Sequence, residues 1–252
     1  MKQIQTAVPY YLPLSVALTG AAGETVLGET NAASAYDLNV LGGVTDLKTS
    51  RAAFSVGRRL NMWSSDKIPM TVLFGQIDSP RQVSHWVRPL PLNKGQKLAT
   101  EVLNSNGEGA GNIVFVCEQA GVQMPVLTRP HEIGEMGVIA VDSQFTGVLN
   151  ESPDPIATVQ SGWDFVLYGF NTDLATATVR ITGCDGRRWM SDFTPIWAIA
   201  GRPTSASPTM LLNRPYVIPA NQTMEFEFRN DGTEAAGLLY LYGQWIPKQQ
   251  QG

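Results

Sequence analysis

Ile68-Pro69-Met70-Thr71-Val72-Leu73-Phe74-Gly75 returns 126 positions later as Thr194-Pro195-Ile196-Trp197-Ala198-Ile199-Ala200-Gly201, an apolar run bracketed in both places by Pro and Gly. The same shift holds downstream without a gap. It sets Arg88-Pro89 on Arg214-Pro215, Gln96 on Gln222, Glu101 on Glu227, Asn104 on Asn230, Glu108 on Glu234 and Ala110-Gly111 on Ala236-Gly237. Upstream the shift becomes 127, matching Asp37 to Asp164 and Gly42-Gly43-Val44-Thr45-Asp46-Leu47 to Gly169-Phe170-Asn171-Thr172-Asp173-Leu174. Gly57-Arg58-Arg59 meets Gly186-Arg187-Arg188 after a small insertion, which a loop between strands tolerates. A register kept over this length is the mark of an internal repeat, and it decides the architecture before any single element is assigned.

The repeated unit reads as β-structure. Met224, Phe226 and Phe228 alternate with Glu225, Glu227 and Arg229, so one face is buried and the other wet, and Leu98, Thr100 and Val102 take the inward places in the first copy. Asn104-Ser105-Asn106-Gly107 and Asn230-Asp231-Gly232 supply residues that tolerate positive φ between two apolar runs, which predicts a hairpin in each half. No long helical period is present, while 24 Gly and 16 Pro punctuate the chain at short intervals, so helices are expected only as single turns in loops. The expectation is an all-β chain of two tandem antiparallel β-sandwich units produced by internal duplication. Met124-Pro125 and Arg129-Pro130-His131 place the boundary near residue 130, giving units 1–129 and 130–252.

Composition narrows the function classes. Charged residues make up 16% of the chain against about 25% in an average soluble domain, so much of the surface is uncharged polar or apolar and suits packing against neighbours. An ordinary β protein with uncharged polar loops fits the same composition. The net charge of −4 and the scattering of basic residues disfavour direct nucleic-acid binding. Leu12, Leu14, Val16 and Leu18 alternate at strand period, which argues against reading the start as a signal peptide, and no run has the length of a transmembrane helix. Cys117 and Cys184 occupy unmatched places in the two halves and are expected as reduced thiols.

Catalytic signatures are missing. His85 and His131 are the only histidines, and both read as surface or interface residues; HExxH, Cys-x-x-Cys, G-x-S-x-G and Walker patterns do not occur. Asp37, Asp46, Asp164 and Asp173 form a conceivable carboxylate set. However, Asp46 and Asp173 lie in equivalent Thr-Asp-Leu segments, which predicts side-chain oxygens accepting backbone N–H bonds at a turn in each copy. No cofactor and no metal is expected. Among six tryptophans, Trp197 lies within an apolar run and is expected buried, whereas Trp63 and Trp189 follow the shared Gly-Arg-Arg turn and are expected partly exposed. Arg58, Arg59, Trp63, Arg187, Arg188 and Trp189 are the candidate interface residues, the arginines as partners for a neighbouring subunit's carboxylates or carbonyls, with a solvated loop as the alternative. The same tryptophans leave open a carbohydrate-binding, lectin-like double sandwich.

Arg214-Pro215-Tyr216-Val217-Ile218-Pro219-Ala220-Asn221-Gln222-Thr223, the alternating Met224–Asn230 segment and the apolar return Leu238–Gly243 resemble the jelly-roll proteins of bacteriophage particles, and Arg88–Val116 repeats the pattern in weaker form. Taken together the two copies resemble tandem jelly-roll virion proteins, including the small double jelly-roll capsid proteins. The resemblance implies eight-stranded sandwiches, a non-enzymatic role in a capsid shell, its decoration, or a collar or tail, and a virion location after assembly in the host cytoplasm. It also implies a homo-oligomer contacting other virion proteins, in which a trimer of two-unit chains gives a six-fold-like outline.

Overall fold

The structure, a computed structural model, describes residues 7–32, 35–56, 67–76, 84–122, 135–201 and 210–247. The chain divides into a leading unit, Tyr10–Gly121, and a trailing unit, Val122–Gly252 together with Met1–Pro9. The boundary expected at residue 130 lies outside the described residues.

The leading unit runs β1 (Pro9–Thr19), β2 (Thr25–Asn31), β3 (Leu38–Thr45), β4 (Arg51–Val56), β5 (Ile68–Pro69), the single-turn helix α1 (Met70–Leu73), β6 (Gly75–Gln76), β7 (Ser84–Leu92), β8 (Lys97–Leu103) and β9 (Gly109–Gln119). One sheet has the order β1-β9-β3, with β6 and β7 both pairing β3, and the other has the order β2-β8-β4-β5. The trailing unit runs β10 (Glu135–Asp142), β11 (Ile156–Thr158), β12 (Trp163–Thr172), β13 (Thr178–Thr182), β14 (Thr194–Pro195), a 3-10 turn (Ile196–Ala198), β15 (Met210–Ile218), β16 (Thr223–Arg229) and β17 (Leu238–Pro247). Its sheets, β10-β17-β12-β15 and β11-β16-β13-β14, repeat the leading order apart from β6, whose place is taken by an isolated bridge at Gly201. Both units are therefore sandwiches with jelly-roll connectivity, in which most consecutive strands cross between facing sheets while β4 and β5, and β13 and β14, pair within one.

The predicted hairpins are corrected by this topology. β8 and β9 belong to different sheets, as do β16 and β17, so the Asn-Gly and Asn-Asp-Gly segments carry the chain from one layer to the other. Turn-forming residues between two apolar runs specify a reversal; which sheet receives the second run depends on partners distant in sequence. The alternating patterns were otherwise placed as expected: Leu98, Thr100, Val102, Met224, Phe226 and Phe228 all point inward and are buried.

Matched residues do matching work. The sheet bulges between Val40 and Gly42 on β3, and between Leu167 and Gly169 on β12. A short parallel contact joins Val44 to Gly75, and another joins Asn171 to Gly201, a departure from the otherwise antiparallel pairing. The Glu108 carboxylate accepts the N–H groups of Lys48 (2.6 Å), Thr49 (2.9 Å) and Ser50 (2.8 Å) and the Ser50 hydroxyl (2.6 Å). The Glu234 carboxylate accepts the N–H groups of Ala175, Thr176 (2.8 Å) and Ala177 (3.1 Å). Asn104 brackets Glu108, donating to its carbonyl and accepting from its N–H, both at 2.8 Å, and Asn230 brackets Glu234 in the same way.

The cores are filled differently around this shared frame. Phe54, Phe74 and Phe115 meet edge-on in the leading unit, with ring centroids 5.7 to 5.9 Å apart. A Cβ on Gly43 would stand 2.8 Å from the Phe74 ring. At the matched positions the trailing unit has Phe170 and Ala200, both buried, so the large side chain has moved from the segment after α1 to the strand while the pair keeps a large and a small member. Volume-conserving exchanges of this kind are the ones a packed core accepts.

Burial alone would raise the Glu108 carboxyl, but the Ser50 hydroxyl and the N–H groups of residues 48–50 outweigh it and hold the group below its ordinary value. Glu108→Ala is expected to lower unfolding stability by about 1–3 kcal/mol, the cost of leaving hydrogen-bonding groups without their partner. A depressed folded-state value means that stability is present above the unfolded value and lost as pH falls through the folded one. The gap between wild type and Glu108→Ala in denaturant titrations should accordingly be full at neutral pH and close as pH drops below the ordinary 4.5. A gap that persisted undiminished in acid would contradict this role.

Candidate interaction surface

The four aspartates considered as an acid–base set are bound to backbone. Asp46 accepts the Asn112 N–H at 2.6 Å and Asp173 accepts the Leu238 N–H at 2.6 Å, the turn role read from the repeated Thr-Asp-Leu segments. Asp37 and Asp164 accept the N–H groups of Lys94 (2.8 Å) and Ala220 (2.9 Å), again at matched places. Burial pushes the Asp46 carboxyl up despite the hydrogen bonds from Asn112. Among the described residues, no group of three or more His, Cys, Asp or Glu side chains is placed to hold a metal ion, and no helix is long and apolar enough to cross a membrane. His85 lies on β7 opposite Gly42, and His131 lies outside the described residues.

Of the candidate interface residues, Arg58, Arg59 and Trp63 lie outside the described residues. The matched turn after β13 is closed by Gly183 N–H donating to the Arg187 carbonyl (2.9 Å), and the Arg187 guanidinium lies 3.5 Å from the Asp185 carboxylate. Arg188 is exposed and bridges back to Thr182. Trp189 corrects the sequence expectation: it is fully buried, with its ring edge-on to Tyr216 at 4.8 Å and to Phe170 at 6.2 Å. The turn returns the chain to β13, where Trp189 N–H donates to the Ile181 carbonyl at 3.0 Å, and this pairing aims the indole into the sandwich. Buried there, Trp189 offers no face for a sugar ring or a neighbouring subunit. Trp197 is buried as expected.

Beside Trp189, the Cys184 sulfur lies 3.1 Å from the Tyr216 hydroxyl, which donates to Asp185 at 3.4 Å. Burial raises the thiol, and the nearby Asp185 charge adds to the rise. That is the reverse of the thiolate stabilisation a nucleophilic cysteine needs.

The surface that sequence reading missed is the outer face of the β10-β17-β12-β15 sheet. Cross-strand register lays Val138, Tyr242, Gly169 and Leu211 in one row, with Met136, Gln244, Val166 and Val217 in the row beside it and Ala140, Tyr240 and Asn171 on its other side. No residue of these three rows is charged. Met136 is 75% exposed, Leu211 68% and Val138 47%; Tyr240 and Tyr242 are half-buried, and Val166, Gly169, Asn171, Val217 and Gln244 are buried, so the open apolar surface lies along the two edge strands. Met and Tyr on an uncharged ground are the composition of an interface centre, and scattered charge is what such centres lack. The signal was present in Met136-Gly137-Val138-Ile139-Ala140-Val141, an edge strand without polar alternation and so apolar on both faces.

A Cβ on Gly183 would fall 2.7 Å from both the Trp189 indole nitrogen and the Tyr216 hydroxyl, and 2.9 Å from an Asp185 oxygen. Gly183→Ala must displace these groups. Denaturant unfolding is expected to show a loss of about 1–3 kcal/mol, accompanied by a red shift of tryptophan emission as Trp189 is pushed from its pocket; an unchanged midpoint and spectrum would refute the packing described.

No family model and no curated protein matches the sequence. Among solved structures, the chain is similar to the major capsid protein P2 of bacteriophage PM2 at 11% identity and a TM-score of 0.26, covering 97% of this chain and 99% of that one. It is also similar to the infectious bursal disease virus VP2 subviral particle at 12% identity and a TM-score of 0.23, covering 98% of this chain and 74% of that one. Likeness at this level transfers no residue role.

Proposed function

We propose that this chain is a non-enzymatic structural subunit of a viral particle, a bacteriophage in the first instance, which forms or decorates the shell by packing against copies of itself and against other particle proteins. The observation that carries the reading is the set of three uncharged rows on the outer face of the β10-β17-β12-β15 sheet, where Met136, Val138 and Leu211 on the edge strands are open to solvent in a chain with few charged residues. Two units of one connectivity in each chain suit this role. Three copies around an axis bring six similar units together, and closed symmetry then repeats each contact. The common strand order and the hydrogen bonds repeated 126 or 127 positions apart support descent of both units from one duplicated ancestor. Carboxylates committed to backbone N–H groups and a raised Cys184 thiol support a role without catalysis. The net charge of −4 suits protein partners better than nucleic acid.

Solution mass measured across a concentration series, with electron microscopy of the same samples, tests the reading. Trimers or larger closed assemblies are expected, with interfaces above about 1,000 Å². Val138→Lys combined with Leu211→Lys should reduce these to monomers while leaving circular dichroism and melting unchanged, since both side chains lie outside the core. A wild-type chain that stays monomeric at high concentration and is absent from purified particles would overturn the proposal.

A further inference from the structure

We propose that Asn106 is a site of spontaneous deamidation and backbone isomerisation, and that its conversion loosens the Glu108 tie of the leading unit. Asn106-Gly107 is the one Asn-Gly pair in the chain and lies exposed on the crossover between β8 and β9. Gly107 has φ +77°, and without a side chain its nitrogen is open to approach the preceding residue. Among the described residues, neither the Asn106 side chain nor the Gly107 N–H has a hydrogen-bond partner. Neighbouring asparagines are held. Asn104 uses both its amide nitrogen and its oxygen on Glu108, and Asn112 is tied to Asp46 through its N–H and to Ser15 through its side-chain oxygen.

The chemistry needs only water. The Gly107 nitrogen attacks the Asn106 side-chain carbonyl carbon and loses its proton as the carbon–nitrogen bond to the amide breaks, and ammonia leaves. The resulting five-membered imide takes up water at either carbonyl and opens to aspartate or to isoaspartate. Isoaspartate routes the main chain through the former side-chain methylene, lengthening the 104–108 segment by one atom. Asn104 and Glu108 close that segment with two reciprocal 2.8 Å hydrogen bonds, so a longer path separates them and draws the Glu108 carboxylate away from residues 48–50. The trailing unit is protected: the position matching Asn106 is Gly232, whose N–H donates to Asn230, and Asp231 is paired with Arg229 at 2.8 Å.

The test is to age the full chain at body temperature and mildly alkaline pH, map its peptides by mass, and separate isoaspartate by fragmentation. Asn106 should gain about 1 Da first, as a thermolabile amide, well ahead of Asn104 and Asn112 on the same peptide, and Asn106→Gln should abolish the early gain. Amide hydrogen exchange of the aged protein should quicken at Thr49 and Ser50 and stay unchanged at Thr176 and Ala177. Asn106 remaining intact while the denatured chain converts there, or all three asparagines converting at one rate, would overturn the site. Full conversion without faster exchange at Thr49 and Ser50 would overturn its effect on the tie.

Discussion

A strand that leaves one sheet for the facing one abandons its hydrogen-bond ladder, and its backbone N–H groups must find other acceptors or be lost to solvation cost. Each jelly-roll unit meets this demand with one carboxylate. Glu108 and Glu234 gather successive N–H groups from the neighbouring crossover, so two connections that pass between the same pair of sheets are tied to one side chain. Asn104 and Asn230 fix the backbone that carries each carboxylate, and Thr45 and Thr172 add hydroxyl bonds to the carbonyls of Asn112 and Leu238.

The two units agree in these polar contacts and disagree in their cores. Hydrogen bonds are directional and short, so a carboxylate at the crossover has no substitute of another shape. Apolar packing asks only that volume be filled without strain, which is why Gly43 with Phe74 exchanges for Phe170 with Ala200. Thr100 against Phe226 belongs to the same class, although the Thr100 hydroxyl is buried without a partner and carries a cost that Phe226 avoids.

The frame also accounts for where surface is left to work. Aspartates and glutamates of the crossovers are bound to backbone, Trp189 is drawn inside, and the exposed apolar side chains of the edge strands β10 and β15 remain. The proposed role in contact with like subunits draws on what remains exposed.

Much of this was legible from residues alone. Repetition at 126 or 127 positions and the inward places of Met224, Phe226 and Phe228 are patterns of residue types along the chain, and the repeated Thr-Asp-Leu segments marked Asp46 and Asp173 as acceptors of backbone N–H, although their donors Asn112 and Leu238 come from distant strands. Three features belonged to the tertiary structure. The Asn-Ser-Asn-Gly and Asn-Asp-Gly segments became crossovers instead of hairpins because sheet membership is settled by strands far away in sequence. Trp189 went inside because the turn before it pairs back onto β13. Glu108 and Glu234, matched in sequence but without an assigned task, acquired one only when residues 48–50 and 175–177 were brought to their carboxylates. Hydrophobic alternation specifies which face of a strand is buried; which strands lie opposite one another, and so which polar groups must be satisfied together, is settled only when the two sheets close on a common core.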